Sequence, residues 1–270
     1  RPKISPFRIR KGEIFGLVGE TGSGKSTVAR TILGIYPPTE GRILFKGREI
    51  SEKKLQKRNE TEIHRKIQMI FQDSAAALNP HMTVGEIIAE PLKIHLLFPG
   101  REALDRTIGN LLLQVGLDES YRAKYPSEIS GGQRQRAAIA RCLGMKPDLI
   151  LADEPIASLD VSIQAQIINL FCKLQREHGF SFLFIAHDLS VIRYLCDRVA
   201  VMLHGKIIET APAEELFQNP LHPYTRSLLS AIPLPDPLYE RQKEFLDYNS
   251  ASALPDGALE EISPLHFVYR

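Results

Sequence analysis

Apolar residues along the chain fall into short continuous runs and longer amphipathic stretches, with glycines or prolines standing between them. Ile14 to Val18 is the first such run; it stops at Gly19, and a Gly/Ser-rich stretch leads into Thr27 to Leu33, closed by Gly34. A short apolar run ending at glycine predicts a buried strand, and the segment after the turn predicts a helix. Ile43 to Phe45, between Gly41 and Gly47, predicts one short strand of a hairpin, while Ser51 to Lys66 is highly charged with few apolar anchors and predicts an exposed connection or short helix. Ile67 to Phe71 is a further strand. From Val84 to Val115 the pattern is helical, with interruptions expected at Pro91 and at Pro99 to Gly100 because proline lacks the backbone donor. This middle block reads as an insertion.

The second half alternates regularly. Gln133 to Leu143 predicts a helix, Leu149 to Ala152 a strand, Ser162 to His178 an amphipathic helix, Phe182 to Ala186 a strand, Leu189 to Cys196 a helix and Val199 to Leu203 a strand. Strands that are apolar throughout are covered on both faces, so the alternation predicts an α/β fold with a mainly parallel sheet. Beyond Pro220 the composition turns towards proline, with Pro233, Pro235 and Pro237 close together, and residues 233–270 read as an irregular appendage.

Length and composition bound the function. At roughly 150 residues per domain, 270 residues give about 1.8 domains, which means one large domain or a domain with a sizeable insertion. Lys plus Arg at 34 against Asp plus Glu at 32 leaves a formal charge of +2, without the dense basic surface of a dedicated nucleic-acid binder. A hydrophobic fraction of 43% with 24% charged residues excludes wholesale disorder, and no apolar run has the length of a membrane span. Cys142, Cys172 and Cys196 are widely spaced with no C-x-x-C, which favours neither a disulfide framework nor a thiolate metal site and fits a reducing compartment. The chain opens on Arg1 rather than Met and shows no secretory leader pattern, which sets the expectation of a fragment or processed chain.

The stretch Gly19-Glu20-Thr21-Gly22-Ser23-Gly24-Lys25-Ser26, followed by Thr27, fits G-x-x-x-x-G-K-[ST] between a predicted strand and a predicted helix. Glycines let the backbone turn so that successive N–H groups face phosphate oxygens, and the helix beginning near Lys25 aims its positive end at the same place. Lys25 would neutralise β- and γ-phosphate charge, and Ser26 would offer its hydroxyl to Mg²⁺. Such a loop implies nucleotide binding but does not separate kinases, GTPases and ATPases.

Leu149 to Ala152 runs into two carboxylates, Asp153 and Glu154. In open parallel sheets ligands gather at the carboxyl ends of strands. Asp153 suits a Mg²⁺ role; Glu154 points the other way if the strand continues, and is then placed to orient and partly deprotonate a water molecule.

Ile129-Ser130-Gly131-Gly132-Gln133 resembles the LSGGQ signature of ATP-binding cassette (ABC) ATPases, with Ile in place of Leu. Two glycines and a serine before a helix form a second anion-binding helix start. The resemblance implies a P-loop NTPase fold with antiparallel β elements and an inserted helical subdomain. It also implies a head-to-tail dimer, in which each ATP lies between the phosphate loop of one subunit and the signature of the other. Further motifs follow in the family's order: Gln72 matches the glutamine that senses Mg²⁺ and the attacking water, Ser158-Leu159-Asp160 the D-loop at the dimer interface, and His187 the switch histidine at the γ-phosphate.

The resemblance covers about residues 8–232. Phe71-Gln72-Asp73, Leu78-Asn79-Pro80, Met82-Thr83-Val84 and Pro220-Leu221-His222-Pro223-Tyr224-Thr225 resemble the ATPase subunits of oligopeptide, dipeptide and nickel importers, and Pro38-Thr39-Glu40-Gly41 leans towards the second of their paired ATPases. The expected organisation is an ABC ATPase domain over 1–232, its helical insertion at about 73–135, and the appendage over 233–270. The expected function is ATP hydrolysis that energises an importer of oligopeptides or dipeptides, with nickel or metal chelates as other cargo. Expected partners are a sister or identical ATPase, two membrane permeases and, indirectly, an extracytoplasmic binding protein, with no nucleic acid, at the cytoplasmic face of the membrane.

Two features depart from the family. Relatives stack adenine on an aromatic residue from a strand further upstream than this chain reaches, and Phe7 is assigned to the following strand, so no adenine contact is assigned. Many relatives carry a C-terminal cysteine cluster associated with an iron–sulfur centre; no cysteine follows Pro220 here, and no such cluster is expected. The competing readings are a soluble ABC ATPase acting on ribosomes or DNA, which ordinarily has two cassettes or a long inserted arm, and a small-molecule P-loop kinase, which the Ser130 to Gln133 stretch disfavours.

Overall fold

The computed structural model describes residues 7–51, 61–72, 77–98, 100–232, 246, 248 and 257–270. In chain order they form β1 (Ile14–Val18), α1 (Lys25–Ile32), β2 (Leu44–Phe45), β3 (Arg48–Glu49), β4 (Ile67–Ile70), α2 (Val84–Ile94), α3 (Arg101–Gln114) and α4 (Gly131–Gly144). They continue as β5 (Leu149–Asp153), α5 (Val161–His178), β6 (Ser181–Ile185), α6 (Leu189–Leu195), β7 (Arg198–Leu203), β8 (Lys206–Pro212), α7 (Ala213–Gln218), α8 (Pro223–Ser230), β9 (Leu259–Ser263) and β10 (His266–Tyr269). Two compact units result, one built from residues 1–29 and 183–270, the other from 30–182. Asp73, Pro99 and the Pro233 to Pro237 cluster lie outside the described residues.

In the first unit β1 is buried along its whole length and pairs in parallel with β7, Val18 opposite Val201. Gly16 lets α6 approach β1, since a Cβ there would lie 3.0 Å from Cys196 Sγ and 3.2 Å from Ile192 Cγ2. β7 turns into β8 through His204 and Gly205, both at positive φ, the backbone handedness that suits a tight hairpin between twisted strands. β10 then pairs antiparallel with β8, and β9 antiparallel with β10.

The expectation of an irregular tail is therefore corrected at its end. Leu259 to Ser263 carries Glu260 and Glu261 and shows no apolar run, so periodicity did not signal a strand. The backbone of β8 offers the template for β10, in which His266, Val268 and Tyr269 are buried. Phe7 is corrected too: it belongs to no strand, and its ring stacks on Phe15 with centroids 5.4 Å apart.

In the second unit β4 runs parallel to β5, Ile70 opposite Ala152, and β2 and β3 form the small antiparallel hairpin expected near Phe45. β5 extends one residue further than expected, through Asp153, and α4 starts two residues earlier, at Gly131. Helices α2, α3 and α4 meet at Gly144, whose missing side chain leaves room for Leu92 and Leu111. Residues 61–66 are helical.

The break expected at Pro91 does not occur: α2 passes straight through it. A proline in a helix interior costs about 3 kcal/mol. Val84, Ile87, Ile88, Ala89 and Leu92 are all buried on this helix, and full burial of each large aliphatic contributes about 1.5–3 kcal/mol, so packing outweighs the lost hydrogen bond. The stretch 95–98 after it is not helical, and the helix resumes at Arg101. Among the described residues no helix is long and apolar enough to cross a membrane.

Candidate functional site

The glycine-rich loop leaves β1 at Val18 and enters α1 at Lys25. Gly19, Gly22 and Gly24 sit at φ of 147°, 85° and 107°, which L side chains rarely adopt. At Gly19 the constraint is also steric, because a Cβ would stand 2.1 Å from the Met202 carbonyl oxygen of β7. The loop is cross-tied within the unit: Ser23 N–H donates to the Glu20 carbonyl at 3.1 Å, and Gly205 N–H donates to the Ser23 carbonyl at 2.9 Å.

Lys25 is buried, and its ammonium donates to the carbonyls of Gly19 at 2.7 Å and Glu20 at 2.8 Å. A buried ammonium with carbonyl partners at a helix start makes a compact positive site. That donor set fits an oxyanion ligand of phosphate type. Ser26, the second residue of α1, supplies a hydroxyl beside it.

In the second unit β5 ends at the buried carboxylate of Asp153. Glu154 does not continue the strand, so the condition under which it would point the other way by alternation is not met. Its φ of 47° places a non-glycine residue in the left-handed region, so the chain turns sharply there and the carboxylate is aimed by the turn rather than by strand alternation. Gln72, two residues beyond β4, donates from Nε2 to Glu154 Oε2 at 2.8 Å. The structure thus brings together two residues 82 positions apart that the sequence singled out separately.

The signature residues begin α4. Ser130 is its N-cap: its hydroxyl accepts from Gln133 N–H at 3.4 Å while Gln133 Oε1 accepts from Ser130 N–H at 2.8 Å, a reciprocal capping box. Gln133 Nε2 donates to the Tyr121 hydroxyl at 2.7 Å. A Cβ on Gly132 would come within 2.6 Å of Ile163 Cγ2 on α5, and one on Gly131 within 3.4 Å of Leu159 Cδ2. The Ser158-Leu159-Asp160 segment, which ends in the N-cap of α5, therefore lies against the signature within this chain.

His187 is exposed in the first unit, just past β6, and precedes Asp188, whose Oδ1 caps α6 by accepting from Ser190 N–H at 2.8 Å. Cys142 is buried with its thiol on the Met69 carbonyl, and burial pushes its pKa up to about 11.

Sequence reading missed one contact to the phosphate loop. The hydroxyl of Tyr224 accepts from Glu20 N–H at 3.0 Å. Tyr224 stands in the His222 to Thr225 stretch already noted, but nothing in its spacing from Glu20 could announce the contact. His222 caps α8, its Nδ1 accepting from Tyr224 N–H at 3.1 Å, and Pro223 follows at the first helical position.

The cap requires a neutral imidazole, and burial holds the His222 pKa below the usual 6.5, against the opposing pull of Glu209. A histidine depressed on folding contributes stability that is complete above its unfolded value and is lost as pH falls towards its folded value. The melting temperature should be level above pH 7 and fall below about pH 6.5, and the fall should be shallower in His222→Asn, which keeps a capping oxygen without a titration in that range. Parallel melting curves for the two proteins from pH 8 to pH 5 would exclude this role.

Two known families match the chain: one described as ABC transporter over residues 3–157, and one described as oligopeptide/dipeptide transporter, C-terminal region, over residues 208–256. The oligopeptide transport ATP-binding protein OppF of Bacillus subtilis is 53% identical over 97% of this chain and 87% of its own length. The oligopeptide transport ATP-binding protein AmiF of Streptococcus pneumoniae is 49% identical over 99% of this chain and 87% of its own. Among solved structures, cbiO1 from Clostridium perfringens, part of an ABC transporter complex, superposes with a TM-score of 0.70 at 28% identity, covering 79% of this chain and 82% of that one. A dimeric ATP-binding cassette in a post-hydrolysis state, bound to ADP and Pi, gives 0.67 at 30% identity over 77% and 89%.

Proposed function

The chain belongs to the ABC transporter family, and on that premise we propose that it is the ATP-binding and ATP-hydrolysing subunit of an oligopeptide importer. The observation that carries the reading is the Gly19 to Ser26 loop, with Lys25 on its carbonyls, in a chain whose residues 208–256 match the C-terminal region of oligopeptide/dipeptide transporters. The relatives give no support to an action on ribosomes or DNA.

Phosphoryl transfer to water needs positioning and charge neutralisation more than covalent help. The loop of residues 19–27 holds the phosphates through its remaining N–H groups, those of Glu20 and Ser23 being taken by the Tyr224 hydroxyl and the Glu20 carbonyl, and Lys25 neutralises the phosphate charge. Ser26, Asp153 and Gln72 offer oxygen donors of the hard type that suits Mg²⁺, which when bound would offset phosphate charge. Glu154 orients the attacking water and takes its proton; the Gln72 amide at 2.8 Å fixes the carboxylate for that task. His187 is assigned to the γ-phosphate, and Ser130 to Gln133 to the nucleotide of a partner cassette, with Ser158 to Asp160 at the interface between the two.

That partner is a sister or identical ATPase, and the pair works at the cytoplasmic face of the membrane on two permease subunits. Residues 1–232 are assigned to the ATPase domain and 73–135 to its helical insertion. Within the second unit a cavity of about 530 Å³ opens beside this machinery, lined by Met69, Phe71, Pro91, Ile94, Ile32 and Ile35 among others. Its wall includes Phe71, next to Gln72, so a permease segment seated there would bear on the hydrolytic residues. Ile94 is 70% exposed and can be changed without opening the core.

The test is reconstitution of the chain with its sister ATPase and permeases in vesicles. ATP-dependent peptide uptake is expected, and Ile94→Asp should lower permease-stimulated hydrolysis at least fivefold while the basal rate of the soluble protein stays within twofold. No nucleotide hydrolysis by the reconstituted complex would end the proposal.

A further inference from the structure

The geometry points to Tyr224 as a positioning residue of the phosphate loop, which it steadies through the Glu20 peptide. This rests on the reading of Gly19 to Ser26 as the ATP site. Tyr224 is 1% exposed and lies 204 positions from Glu20, yet its hydroxyl is 3.0 Å from the Glu20 amide nitrogen. Burial pushes its pKa up to about 12, so the phenol stays protonated and acts here as a neutral acceptor.

The backbone of Glu20 is thereby gripped on both sides. Its N–H is taken by Tyr224, and its carbonyl accepts from Lys25 Nζ at 2.8 Å and from Ser23 N–H at 3.1 Å. Glycines at positive φ stand on either side, at positions 19 and 22. Glycine backbone is conformationally permissive, so a loop built this way holds a phosphate-ready shape only if something outside it limits the alternatives. On the loop's first side-chain-bearing residue, Tyr224 supplies that limit.

What holds Tyr224 is the C-terminal region. Glu209 on β8 is fully buried and accepts from Leu221 N–H at 2.7 Å and His222 N–H at 2.9 Å, while His266 Nε2 of β10 lies 2.8 Å from Glu209 Oε1. The ring of Tyr248 meets Tyr224 edge-on at 5.5 Å and His222 at 6.0 Å. A buried carboxylate and a histidine from the last strand therefore fix the turn at Leu221 and His222 that leads into Tyr224, and an aromatic from the tail packs on the Tyr224 ring itself. In this reading the region after β8 braces the nucleotide site.

The experiment compares Tyr224→Phe with Tyr269→Phe in the full chain. Tyr269 lies on β10, and its hydroxyl accepts from Lys206 Nζ at 2.7 Å rather than from an N–H of the loop. Losing one neutral hydrogen bond to a preorganised loop should raise KM for ATP, and Kd for a fluorescent ATP analogue, about fivefold in Tyr224→Phe, with kcat within twofold. Tyr269→Phe should leave both constants unchanged. A Tyr224→Phe protein with KM and Kd within twofold of the unaltered chain overturns the inference, and so does an equal rise in both variants.

Should Tyr224→Phe fail to fold, Tyr248→Ala keeps the hydroxyl but removes its packing, and it should raise Kd two- to threefold; no change there also overturns the brace. Lys25→Ala separates the two levels. If it binds nucleotide normally, the ATP-site reading itself fails; if it loses binding while Tyr224→Phe is unaffected, only the brace fails.

Discussion

Glu154→Gln is expected to lower ATP turnover by about 10²- to 10⁴-fold, the range that a positioned general base contributes, with nucleotide affinity within threefold of the unaltered chain. The exchange is nearly isosteric, so it keeps the turn at φ 47° and the side chain that Gln72 contacts, and it removes the basic oxygen. Folding stability should move little, because Glu and Gln meet the same left-handed backbone at the same cost. The lifetime of the ATP-bound dimer should lengthen in proportion to the lost turnover. The measurement is single-turnover hydrolysis in the presence of the sister ATPase, beside size-exclusion chromatography with ATP. A turnover within tenfold of the unaltered chain would remove Glu154 from the water-activating role and leave Gln72 or Asp153 to be tested in its place.

Lys25→Ala should abolish useful nucleotide binding. The ammonium has two tasks that fail together: it is the cation assigned to the phosphates, and it is the donor to the Gly19 and Glu20 carbonyls. Charge-assisted hydrogen bonds are each worth about 1.5–3 kcal/mol, so losing the phosphate contact alone predicts a rise in Kd of about 10- to 150-fold. The two carbonyls must then be rehydrated in a site that buried Lys25. Arginine is not a substitute, since its planar fork does not reproduce a compact ammonium between two carbonyl oxygens. Titration with a fluorescent ATP analogue decides the matter, and a Kd within threefold of the unaltered chain would refute the role. The Lys25→Ala and Glu154→Gln proteins should differ in kind, the first failing to bind and the second binding without turning over.

Much of the site was legible because its chemistry is local. The phosphate loop needs glycines, one lysine and one hydroxyl at fixed spacing between a strand and a helix, and each of those requirements is written within residues 19–26. The signature is local in the same sense, with Ser130 and Gln133 capping each other across three positions. Local rules also misled. Pro91 obeys the rule for helix interruption only until the buried face of α2 is counted, and β9, with Glu260 and Glu261, has no pattern of its own and exists because β10 presents an edge.

What the sequence determined by itself was the kind of chemistry: a glycine-lined anion site, a carboxylate pair at a strand end, a second glycine-led helix start and the family order in which they occur. The fold alone decided which of these groups touch. The Gln72 to Glu154 hydrogen bond, the left-handed turn that aims Glu154, and the Tyr224 hydroxyl on the Glu20 amide join residues 82, 1 and 204 positions from their partners or preceding elements. Hydrophobic periodicity reports which face of an element is buried, not which distant element covers it. Long-range contacts such as these come into being only when strands take their register and helices their packing, and that is where positioning for catalysis is set.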